Sequence, residues 1–169
     1  IRECRHLHFQ LLTKRPERMS ELLKRQWMPE ALSAKHYLFA EDFWPLPNVW
    51  LGVSVEDQAA ADERIPLLLD TPAAIRFISA EPLLGPIDLT MFIPEQEPHQ
   101  CPSDVTLDWV IVGGESGPRF RPLDLAWVQR IREQCRAAGV AYFGKQTAAF
   151  RNEVPLPGEL GEREWPDAR

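Results

Sequence analysis

The sequence predicts an α/β protein: a partial (β/α) TIM-type barrel of about five parallel strands with flanking helices over residues 1–150, then an extended tail over residues 151–169. Three observations carry this expectation. Five short apolar runs recur along the chain, each four to six residues long. Helical patterns lie between them. Each run also ends in small and charged residues, and in parallel α/β folds the carboxyl ends of the strands form the ligand-binding face.

The elements follow in order. Residues 7–12 (LHFQLL) read as the first strand, and Pro16 suits the first turn of a helix over residues 17–26. The stretch from 27 to 47 holds Trp27, Tyr37, Phe39, Phe43 and Trp44 among prolines and charges, and reads as an inserted loop or short helix packed on the body. Residues 49–53 (VWLGV) form the second strand. A helix follows from Gln58 to about Leu69, with Pro66 expected to bend or interrupt it. Residues 75–78 (IRFI) form the third strand, and the polar, proline-rich residues 92–104 a surface loop. After the fourth strand, 109–112 (WVIV), comes the clearest helix. Leu125, Val128, Ile131, Cys135 and Ala138 make one apolar stripe, with Asp124 placed to cap its start and Gly139 to end it in a left-handed conformation. The fifth strand is 140–143 (VAYF). The tail, rich in Pro, Gly and Glu, is expected to be poorly packed, with Trp165 as its anchor. Trp50, Trp109 and Trp127 have apolar neighbours and are expected in the core.

Composition narrows the function classes. With 44% hydrophobic and 26% charged residues, the 169-residue chain is expected to fold as one domain rather than remain disordered. A net charge of −6 gives no bulk support for a nucleic-acid binder, and no helix-turn-helix pattern stands out to suggest a DNA-binding regulator. No apolar run is long enough for a membrane span, and residues 1–10 lack the apolar stretch of a signal peptide, so the expectation is a cytoplasmic protein. Cys4, Cys101 and Cys135 are far apart, which argues against a disulfide framework or a zinc site and fits a reducing compartment. His6 and His8 share an i, i+2 spacing that would put them on one face of a strand, as a packed or solvated pair.

The chemistry is expected at the strand ends. The runs lead into Thr13-Lys14-Arg15-Pro16, Ser54-Val55-Glu56-Asp57, Ser79-Ala80-Glu81-Pro82, Gly113-Gly114-Glu115-Ser116-Gly117-Pro118-Arg119 and Gly144-Lys145-Gln146. The candidate ligand-binding residues are therefore Lys14, Arg15, Ser54, Glu56, Ser79, Glu81, Gly113, Gly114, Glu115, Ser116, Arg119, Lys145 and Gln146. Mixed carboxylates and bases suit a polar ligand with anionic and cationic groups; the competing reading is that the charges simply face water. The adjacent glycines would let backbone amides approach a phosphate or carboxylate, but no P-loop follows and a tight turn explains them equally well. No catalytic residue can be assigned, since the histidines lie away from these ends.

The phrases FQLLTKRPERM, NVWLGVSVEDQAAADERIPLLL, RFISAEPLLGPIDL, LDWVIVGGESGPRFRPL and AYFGKQ resemble, in order over residues 9–146, the phage gene-product 37/68 family of phage and bacterial proteins without an established function. Full members carry an upstream segment whose three-cysteine motif is similar to the iron–sulfur ligands of radical S-adenosylmethionine (SAM) enzymes. The resemblance implies that this chain is the later part of such a barrel. A complete one takes roughly 250 residues and eight strands, and the start at Ile1 rather than Met fits the same expectation. It also implies that a [4Fe–4S] cluster would need the upstream cysteines, that this chain alone binds none, and that SAM is a candidate ligand. Glu115, Glu81 and Ser54 would then bind polar groups of SAM, while Lys14, Arg15, Arg119 and Lys145 would hold an anionic substrate such as a nucleotide or nucleic acid. The expected partner is a second copy or the missing N-terminal half of the barrel. The alternative is a non-catalytic remnant or binding module. Thr147-Ala148-Ala149 departs from the tryptophan-glycine phrase that family members tend to carry after the lysine-glutamine pair.

Overall fold

A computed structural model describes residues 1, 4–27, 44–93, 105–150 and 154–167. Most of the inserted stretch and of the proline-rich loop, with His36, His99 and Cys101, lies outside the described residues. The elements run β1 (Phe9–Thr13), α1 (Pro16–Trp27), β2 (Val49–Ser54), α2 (Gln58–Leu69), β3 (Ile75–Ala80), β4 (Trp109–Gly113), α3 (Leu125–Ala138) and β5 (Ala141–Gln146), with a short 3-10 helix at Gly158–Gly161. The five strands form one sheet in the order β1-β2-β3-β4-β5, and every neighbouring pair is parallel.

A strand order that never reverses keeps its crossover helices on one face, because parallel crossovers share one hand. The packing agrees. Val49, Leu51 and Val53 of β2, Ile78 and Ala80 of β3, and Val110 and Val112 of β4 share one buried cluster with Ala61, Ile65 and Leu68 of α2 and Val128, Ile131 and Cys135 of α3, and Met19 and Leu23 of α1 pack against it. The intervening strand residues turn the other way. Trp50, Ile75, Phe77 and Trp109 form a second buried cluster, joined by Ile111, Ala141 and Phe143. The period-2 alternation of strands thus divides the sheet into a helix-covered face and an aromatic face. Gly52 belongs to the aromatic face, where a Cβ would run into the Phe77 ring; the missing side chain lets that ring lie across β2.

Three helix ends carry capping residues, those of α3 as expected. The Asp57 carboxylate accepts from Ala60 N at 2.9 Å to cap α2, and Asp124 accepts from Ala126 N at 2.8 Å to cap α3, which Gly139 ends at φ 67°. Pro66 does not interrupt α2. It removes a single N–H donor in the last turn, and the fully buried Ile65 and Leu68 pin the helix on either side.

The N-terminal segment differs from expectation. Residues 4–7 form a turn, closed by Leu7 N on Cys4 O at 3.0 Å, and the strand begins only at Phe9. The buried Asn48 amide holds this turn by donating to Ile1 O, Cys4 O and Leu7 O at 3.3, 3.2 and 3.1 Å. His6 and His8 therefore both lie off the strand, and His8 packs its ring 5.1 Å from that of Trp50.

The tail is extended but anchored along its described length. Gly144 N donates to Glu162 O at 2.7 Å and Glu164 N to Tyr142 O at 2.8 Å, with Phe143 and Arg163 in an antiparallel bridge. A Cβ at Gly144 would collide with Leu160 O. Tyr142 Oη donates to Leu160 O at 2.8 Å, the buried Arg132 guanidinium pairs with Glu159 and Glu162 at 3.0 and 2.9 Å, and Trp109 Nε1 donates to Glu164 O at 2.9 Å. Trp165 covers the aromatic face, its ring 4.9 Å from Trp109 and 5.4 Å from Phe143. The tail thereby occupies the outer edge of β5.

Candidate functional site

All five strands run past the ends of their apolar runs, so Ser54, Ser79, Gly113, Lys145 and Gln146 are strand residues rather than loop residues. Parallel pairing carries them on: Ser54 sits opposite Ser79, and Gly113 opposite Gln146. Around them lies a cavity of about 370 Å³, lined by Leu12, Ser54, Ser79, Glu81, Pro82, Gly114, Glu115, Ser116, Lys145 and Gln146. It opens at the carboxyl ends of the strands.

Glu81 is the centre of the arrangement. Ser79 Oγ donates to its Oε2 at 2.9 Å, and Lys145 Nζ lies 3.2 Å from its Oε1. A Cβ on Gly113 would come within 2.6 Å of Glu81 Oε1, so this glycine clears the space for the carboxylate. A Cβ on Gly114 would collide with the backbone at Ala148, which packs close enough for Gly114 N to donate to Gln146 O at 2.8 Å. The glycine pair therefore serves close packing between the β4 end and the segment after β5. Neither glycine has a positive φ; Gly117 alone in that loop does, at 121°.

The β4–β5 pairing holds a bulge. Val112 pairs with Gly144, but Gly113 pairs with Gln146, which leaves Lys145 as the extra residue. A regular strand would send residues 145 and 146 to opposite faces, whereas both line this cavity. Gln146 is 6% exposed, its Nε2 makes a long 3.5 Å hydrogen bond to Gly114 O, and its Oε1 is buried without a partner among the described residues.

The other candidates divide. Glu115 lines the cavity but is held by Arg121, whose Nε and Nη2 reach its two oxygens at 2.8 and 2.7 Å. Those hydrogen bonds, with one from the Arg121 backbone, hold its carboxyl down at about 2. Glu56 does not line the cavity. It pairs with Lys14 and with Arg64, the latter at 2.9 Å. Burial pushes the Glu56 carboxyl up, but the Lys14 hydrogen bond and the Arg64 charge outweigh it, and the net position is below the ordinary value. Arg15 lines a separate groove between β1 and α1, and Arg119 is exposed outside the cavity lining. Sequence reasoning missed Arg64 and Arg121. Arg121 stands in the same strand-end segment as Glu115, and that closeness was the available signal.

Cys4 and Cys135 are free thiols. Burial inside the helix-covered core pushes the Cys135 thiol up to about 12, which leaves it inert as a nucleophile. Among the described residues, no three His, Cys, Asp or Glu side chains are grouped to hold a metal ion. No helix among them is long and apolar enough to cross a membrane.

The fold and its cavity define a class: an α/β protein with a one-way parallel sheet and a polar cleft at the strand ends. Within that class the chain belongs to the family described as Protein of unknown function (DUF5131), whose profile matches residues 1–162. No curated protein and no solved structure matches the chain.

Proposed function

We propose that this chain forms the later part of a (β/α) barrel and that its strand-end cavity binds a small polar ligand, with SAM as the ligand that the phage gene-product 37/68 resemblance nominates. The observation that carries this reading is the Ser79–Glu81–Lys145 assembly, delivered by two non-adjacent strands into one cleft. An ion pair held beside a cavity is a ready exchange partner. A ligand ammonium can take up the free lone pairs of Glu81, while a ligand carboxylate can take the remaining donors of Lys145. Ser54 and Ser116 offer hydroxyls to ligand polar groups at the same wall. When bound, SAM would supply a transferable methyl or adenosyl group on its sulfonium.

Among the described residues Cys4 and Cys135 are not grouped with further ligands and do not fit an iron–sulfur cluster. Glu115, committed to Arg121 with its carboxyl near 2, favours a binding role over acid–base work for that residue. The outer edge of β1 takes further strands, from preceding barrel units or from a second copy.

The test is calorimetric titration of SAM into the full chain and into Glu81→Gln and Lys145→Met variants. Each variant loses a charge-assisted contact and should bind about tenfold or more weakly. Binding unchanged in both would overturn the reading.

A further inference from the structure

We infer that Gln146 determines ligand specificity by accepting a hydrogen bond from a nitrogen donor, so that the cavity selects ligands presenting an N–H group to it. The inference rests on the strand-end pocket proposed above and adds the chemistry that pocket reads. Gln146 is buried, only 6% exposed, and its Oε1 has no partner among the described residues. Leaving such an acceptor empty is unfavourable, so a well-packed wall retains one only where something else completes it. The Gly114 carbonyl decides which end of the amide is left over. It accepts from Nε2 at 3.5 Å, and a reversed amide would set two acceptors against each other with no proton between them.

The bulge makes the arrangement specific. With Lys145 as the extra residue, β5 turns two consecutive side chains onto one cavity, a cation at Glu81 and a neutral acceptor beside it. Bulges recur beside binding sites because they re-aim a side chain that the pleat would hide. A ligand meeting this wall finds its anionic groups served by Lys145 and a donor required at Gln146. An anion alone, such as phosphate, would leave Gln146 unsatisfied and place its oxygens against that acceptor.

The donor could be the exocyclic amino group of a nucleobase or an alkylammonium, and the experiment separates them. The full chain is labelled at glutamine side-chain amides and titrated with adenosine, with purine riboside (which lacks the exocyclic amino group) and with ethylammonium. The Gln146 signal, assigned by its loss in Gln146→Met, should move with adenosine or ethylammonium and not with purine riboside. A shift with adenosine identifies a base amino donor, and one with ethylammonium identifies an ammonium. Gln146→Met should weaken the active probe about threefold to tenfold, the worth of one neutral hydrogen bond. Equal binding of adenosine and purine riboside with no response to ethylammonium, or an active probe unaffected by Gln146→Met but weakened by Glu81→Gln, would overturn the role of Gln146 while leaving the pocket in place. Failure of every probe and of SAM to bind would remove both.

Discussion

Gly113 sets how Glu81 can stand. A methyl group there would approach Oε1 within 2.6 Å, and the carboxylate would swing away from Lys145 and Ser79. Gly113→Ala should therefore weaken ligand binding about tenfold by calorimetry while changing the urea midpoint little, since the displaced group lies at the cavity wall and not in the core. Gly52→Ala should do the opposite. Its Cβ meets the Phe77 ring, which is 1% exposed and has nowhere to retreat, so overpacking should cost about 1–3 kcal/mol in urea unfolding with the cavity chemistry intact. At Glu115 the sign of the pH effect follows from a depressed carboxyl. Held at about 2 against an ordinary 4.5, its pairing with Arg121 is fully present above about 4.5 and is lost as pH falls toward 2. An NMR titration of the Arg121 Nε–H should report that midpoint, and one near 4.5 would mean that the pair does not form in solution.

At the scale of elements, α3 shows what local sequence can announce. Asp124 and Gly139 bracket an apolar stripe, and cap, helix and left-handed end all stand where the spacing places them. Removing the cap with Asp124→Ala should cost about 1 kcal/mol in thermal or urea unfolding, because Ala126 N loses its acceptor. The parallel strands were legible for the same reason: a buried strand declares itself by a short β-branched or aromatic run. Their carboxyl ends were not, because Ser54, Lys145 and Gln146 are held in β-structure by neighbours on other strands rather than by their own propensity. The bulge at Lys145 is a matter of register between two strands and leaves no mark in one. The tail misled for a related reason. Pro, Gly and Glu suggest a loose end, yet its contacts with Tyr142, Arg132 and Trp109 come from residues remote in sequence. The candidate site was legible as a set of strand ends. Its division into a Glu81–Lys145 centre, a Glu56–Lys14–Arg64 cluster and a Glu115–Arg121 pair required the side chains in place.

For the whole molecule, the two edges of the sheet are unequal, and the inequality bears on assembly. The outer edge of β5 is taken by the tail through Glu162, Arg163 and Glu164, while β1 pairs with β2 alone among the described residues. Leu11 and Leu12 on β1 are 41% and 49% exposed, and Leu11 joins Met19, Leu22 and Leu23 in a groove of about 580 Å³ against α1. An exposed apolar strand edge is a template for another strand, and here Leu11 and Leu12, on opposite faces of β1, are both left exposed, which suits a strand together with a helix rather than a strand alone. Growth of the sheet is therefore expected on the β1 side, and pairing at β5 is not. Sedimentation velocity over a range of concentrations tests this. The chain alone should self-associate, and Leu12→Lys, which puts a charge on the edge without touching the helix-covered core, should shift it toward monomer at an unchanged urea midpoint. A wild-type chain that stays monomeric at the highest concentrations would show that the β1 edge does not join two copies of this chain. Association that survives Leu12→Lys but falls with Trp165→Ala would move the joint to the tail side of the sheet.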